Sequence, residues 1–78
     1  MKTVYIELFP DVQTDYHMRE SANSLDLTME FSQFTGMTNE WKISGEESNI
    51  EVFLKESGYC DIDGEFSEEF CKEVMTNA

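Results

Sequence analysis

Two thiols, one imidazole and seventeen carboxylates are the groups in this 78-residue chain that could do chemistry. Cys60 and Cys71 lie in its most acidic stretch, where neighbouring carboxylates disfavour the thiolate that a nucleophile needs. His17 stands alone between Tyr16 and Met18, and two cysteines with one histidine give no zinc spacing. Residues 59–70 invite a calcium reading. With Gly64 at the sixth position of an EF-hand loop, Asp61 and Asp63 fall at the third and fifth. The first and twelfth positions would then be Tyr59 and Phe70, where the loop needs Asp and a bidentate Glu. An Asp-Gly turn is the simpler reading, with a degenerate calcium-binding helix-loop-helix as its alternative. There is no glycine-rich phosphate loop, and the five bases Lys2, Arg19, Lys42, Lys55 and Lys72 are scattered. Neither catalysis, a bound metal or cofactor, nor direct contact with nucleic acid is expected, since phosphate contacts dominate that affinity.

The carboxylates carry the stronger signal. Seventeen acids against five bases give a formal charge of −12. Such a field keeps a small protein dispersed, weakens its fold by self-repulsion and steers it towards basic surfaces. The surplus is uneven. Residues 1–45 hold seven acids and three bases, whereas residues 46–78 hold ten acids and two bases. Glu47 and Glu51 are spaced by four, as are Glu65, Glu69 and Glu73, which on a helix sets neighbouring Cβ atoms about 5–6 Å apart. Like charges so placed destabilise a helix slightly, and only Glu51–Lys55 and Glu68–Lys72 offer compensation. The spacing is comparable to that of phosphates along a strand, so a rigid single-signed surface would imitate nucleic acid. Glu47, Glu51, Asp61, Asp63, Glu65, Glu69 and Glu73 are the candidate contact residues, with Asp26 and Glu30 as an extension. An ordinary solvated acidic face is the competing reading.

Those charges need a scaffold, and the composition permits one. Apolar residues make up 40% of the chain and ten residues are aromatic, too many for a disordered acidic tail. One compact domain over residues 1–78 is expected, with a radius of gyration of roughly 12 Å. No run approaches a membrane span, and Glu7 interrupts the stretch where a signal peptide would be apolar, so a cytoplasmic protein with free thiols is expected.

Period-two alternation predicts strands over residues 3–9, ended by Pro10, and over residues 25–31, with Leu25, Leu27, Met29 and Phe31 inward. Residues 11–24 read as a loop with a short helix. Gly36 marks a turn into a third strand over residues 40–43, with Trp41 and Ile43 inward, as an antiparallel hairpin partner of the second. Ser44 and Glu47 have capping-box spacing ahead of a helix whose apolar face is Ile50, Phe53 and Leu54 and whose stop is Gly58. After a linker over residues 59–66, Ser67 is the expected N-cap of a second helix carrying Phe70, Cys71, Val74 and Met75 inward. The expected fold is α+β: a small three-stranded antiparallel sheet with two helices packed on one face.

The stretch Asn39-Glu40-Trp41-Lys42-Ile43-Ser44-Gly45-Glu46-Glu47-Ser48-Asn49-Ile50-Glu51-Val52-Phe53 resembles a segment of small phage-encoded anti-CRISPR proteins. In one type II-A inhibitor group an Asn-Glu-aromatic strand leads through an acidic, Ser-rich turn into an amphipathic helix. The whole chain is also similar in character to phage anti-restriction proteins and other DNA mimics, although it begins with a strand where that group has a helix. The resemblance implies a partner with a basic nucleic-acid-binding groove, in a CRISPR or restriction nuclease complex, and evasion of host defence. It also implies contact carboxylates at Glu40, Glu46, Glu47 and Glu51. A different interaction module, using exposed aromatics such as Tyr5, Phe9, Tyr16 or Tyr59, is the alternative.

Overall fold

A computed structural model describes residues 1–76. The order is β1 (Lys2–Leu8), α1 (Val12–Ser24), β2 (Thr28–Phe34), β3 (Asn39–Gly45), α2 (Glu47–Glu56), β4 (Asp61–Ile62), β5 (Glu65–Phe66) and α3 (Glu68–Thr76). The α+β expectation holds: β1, β3 and β2 form an antiparallel sheet in that spatial order, and β4–β5 is a separate hairpin. The radius of gyration is 11.5 Å.

Alternation decides which face is covered. Val4 lies opposite Ile43, and Ile6 opposite Trp41, and all four are buried under the helices. The intervening Tyr5, Glu7, Glu40, Lys42 and Ser44 lie on the other face, which no element covers. Helix α3 packs against β1, α2 against β3 and α1 against β2, so the helices follow the strand order across one face. Ile50, Phe53 and Leu54 of α2 are fully buried, and Cys71, Val74 and Met75 of α3 nearly so.

Several expectations are corrected. Residues 11–24 contain a 13-residue helix, giving three helices among the described residues. Its core seam is only Met18 and Ala22, four apart, with Leu25 half-buried beyond them. So thin an apolar stripe leaves almost no periodicity to read. The strand expected over residues 25–31 starts three residues later, because residues 25–27 close α1. The Leu27 N–H donates to the Ala22 carbonyl (2.9 Å) and the Asp26 N–H to that of Asn23 (3.2 Å), while Asp26 takes φ 55°. This is a Schellman motif with aspartate in the left-handed position that glycine usually fills. Phe31, expected inward, lies on the covered side opposite Trp41 but beyond the reach of the helices, and is 54% exposed.

The capping box does not form either. Ser44 belongs to β3, with its hydroxyl 3.2 Å from that of Thr3, and Glu46 occupies the N-cap of α2 without a side-chain cap. Gly58, at φ 78°, stops α2 as expected, and the Ser67 hydroxyl caps α3 by accepting from the Phe70 N–H (3.2 Å). The linker between them is structured. Asp63 and Gly64 both have positive φ (54° and 84°), the type I′ geometry that joins two strands tightly.

Candidate carboxylate surface

The predicted contact residues do not form one surface. Glu40 lies on the open face of the sheet, directly opposite Glu7 of β1. Two carboxylates in that register repel. Hydrogen bonds offset the repulsion: Ser32 Oγ (2.9 Å) and Gln33 Nε2 (3.3 Å) donate to Glu40 Oε1, and Thr38 Oγ1 donates to Glu7 Oε1 (3.2 Å). Glu40 therefore serves the local structure of the sheet, on the side away from the helices.

Glu47 and Glu51 fall elsewhere. With Val52 and Lys55 they line the α2 wall of an open groove of about 810 Å³, whose α3 wall is Glu68, Cys71, Lys72 and Met75. Phe66 lies at this groove under Lys55, whose ammonium is 5.7 Å from the ring centroid, and Lys2 completes the lining. Three of the five bases thus meet three glutamates, and the groove is locally neutral. Glu68, which the sequence pairs with Lys72 at a spacing of four, lies outside the candidate contact set but joins this lining.

Asp61, Asp63, Glu65, Glu69 and Glu73 remain, on the hairpin and on α3. All five are exposed. Cys71, Val74 and Met75 turn inward, so Glu69 and Glu73, one turn apart, fall on the opposite, outward side of α3 and outside the groove lining. The I′ turn holds Asp63 at the hairpin tip, between the paired residues Ile62 and Glu65. Ile62 is 54% exposed within this acidic run, an apolar group that the sequence reading passed over. Among the described residues, none of the ten carboxylates from Glu46 to Glu73 makes an ion pair or a side-chain hydrogen bond; the one ion pair is Arg19–Asp15 (3.2 Å).

The other reactive groups are structural. Cys60 and Cys71 are buried free thiols in the core. Burial, and then the adjacent Cys71, pushes the Cys60 thiol up to about 12, so it stays protonated at neutral pH. Tyr59 stacks on Phe70 (5.8 Å) and its Oη accepts from the Glu7 N–H (3.0 Å), with burial raising the phenol above its ordinary value. It is thus tied into the framework. Tyr5, Phe9 and Tyr16 are exposed, Tyr16 donating to Glu20 (2.9 Å). No three His, Cys, Asp or Glu side chains among the described residues gather into a group that could hold a metal ion, and none of the described helices is long and apolar enough to cross a membrane. In comparisons with known proteins, no family model, no curated protein and no solved structure matches this chain.

Proposed function

We propose that this protein is an anti-CRISPR-like inhibitor, encoded by a phage or mobile element, that acts in the host cytoplasm. It occupies the basic nucleic-acid-binding groove of a CRISPR or restriction nuclease complex and blocks its engagement of DNA or RNA. The observation that supports this reading is the unpartnered state of the carboxylates on the hairpin and α3. Charges that stabilise a fold are paired or hydrogen-bonded within it. These five repel one another and, among the described residues, have no ion-pair or side-chain hydrogen-bond partner. A type I′ hairpin and a helix capped at its N-terminus by Ser67 hold them with little freedom to lose on binding. Lys and Arg side chains that normally take phosphates would take Asp61, Asp63, Glu65, Glu69 and Glu73 instead. Exposed Ile62 would add an apolar contact at the centre of the acidic run.

The test is inhibition of DNA cleavage and binding across a panel of CRISPR effectors and restriction nucleases, measured in rising salt. Inhibition should weaken by at least about 100-fold between low and about 0.5 M salt, as interactions of phosphate-binding sites do. The triple variant Glu65→Lys, Glu69→Lys and Glu73→Lys should lose inhibition while its melting curve persists. Inhibition that survives in that variant, or is flat in salt, overturns the reading.

A further inference from the structure

The two edges of the main sheet are treated differently. On β1 one outward backbone group is engaged: the Glu7 N–H points away from β3 and donates to Tyr59 Oη, which stacking on Phe70 holds in place. On β2 no other described strand pairs with the outer edge, and every residue from Thr28 to Phe34 except half-buried Met29 is exposed. An open strand edge is a template for another strand.

An apolar corner adjoins that open edge. Phe31 and Phe34 lie on the helix side of the sheet, in register with Trp41 and Asn39, and are 54% and 60% exposed. Trp41 and Asn39 also line a shallow hollow with Phe9 and Val12, which are 70% and 86% exposed. The Arg19–Asp15 ion pair sits here with the Arg19 guanidinium over the Trp41 ring (4.7 Å). Asp11 and Asp15 both line this hollow against the single Arg19, so in a chain of −12 the corner is aromatic and only weakly acidic. Contiguous exposed apolar groups of this kind mark interaction sites.

We infer that this edge and corner join a second copy of the same chain, the two β2 strands pairing antiparallel about a two-fold axis into a six-stranded sheet. Charge segregation argues for this occupant. Helix α3 packs on β1, the strand farthest from β2, so pairing through β2 sends the two hairpin–α3 acidic regions to opposite ends. A register centred on Phe31 stacks the two rings at the axis, sets Glu30 opposite the bulged Ser32–Gln33 of the other copy and Met29 opposite Phe34, so no carboxylates face each other. A two-fold β2–β2 contact uses the same patch on both copies and so closes at two, while Tyr59 occupies the Glu7 N–H on the far edge.

The test is sedimentation of the full chain by itself, at about 10–100 µM, in salt of about 0.05 M and about 0.5 M. The expected species has twice the 9.1 kDa chain mass, and its share rises with salt as self-repulsion is screened. This salt dependence is opposite in sign to that of nuclease inhibition, so the two readings fail independently. Phe34→Lys should weaken association by at least about tenfold without lowering the melting temperature, because Phe34 is exposed in the single chain. Glu73→Lys should leave the dimer intact. A monomer under all conditions, an open-ended series of oligomers, or a Phe34→Lys variant that associates like the parent each overturns the inference.

Discussion

Carboxylates before and after residue 45 lead different lives. In the first region, Glu7, Asp11, Asp15, Glu20 and Glu40 each have a side-chain partner, and among the described residues Asp26 and Glu30 have none. Thr14 donates to Asp11 at the start of α1 (2.8 Å) and holds that carboxyl below its ordinary value; Tyr16 reaches Glu20 one turn along the same helix. In the second region, ten acids share two lysines and none has such a partner among the described residues. The first set is part of the architecture; the second set is carried by it. An acidic total therefore says little about function until partnered charge is subtracted, and what is left here concentrates on the hairpin and the outer side of α3.

The comparison breaks most directly through the charge reversals on Glu65, Glu69 and Glu73, where the largest effect, loss of inhibition by about 100-fold or more, should come with an unchanged or higher melting temperature. A fall in stability would mean that these acids have structural work after all. The framework should behave in the opposite way. A Cβ added at Gly45 would sit 2.5 Å from Leu27 Cδ2, so Gly45→Ala should cost about 1–3 kcal/mol in denaturant unfolding.

Alkaline pH offers the next test. The Cys60 thiol is pushed from 9.0 to about 12 in the folded chain. Below pH 9 both states hold the proton and stability is full. As pH climbs through 9 towards 12 the unfolded chain releases it first, so the melting temperature should fall in that window. Cys60→Ala should flatten the decline, and an equal decline in that variant would assign it to other groups. The smallest effect is a gain. Asp26→Gly relieves a left-handed backbone at the end of α1 and should stabilise by up to about 1 kcal/mol, read as a higher denaturation midpoint.

Much of the framework was legible. Alternation found β1 and β3, the Ile50-Phe53-Leu54 triplet found α2, and Ser67 and Gly58 marked helix ends, because each is a local signal with a local cause. Helix α1 was not legible, since two buried residues four apart leave an otherwise polar segment. Asp26 misled for a related reason: between Leu25 and Leu27 it reads as the outward residue of a strand, whereas here it reverses the chain. Of the candidate carboxylates, residue types and spacing are legible in the sequence, but their grouping in space is not. Glu40, Glu47 and Glu73 look alike in the sequence and fall on the open sheet face, in a neutral groove and on an outer helix face.

The amino-acid sequence by itself determined the charge, its concentration after residue 45, the apolar periodicities and hence an α+β core. Those depend on composition and on neighbours within a few residues. Only the tertiary structure decided which carboxylates find donors, where three lysines meet three glutamates, and which sheet edge stays open. Each of these depends on residues far apart in the chain, as when Tyr59 reaches back to Glu7. Such contacts are set by packing the helices across the sheet, and no local pattern encodes them.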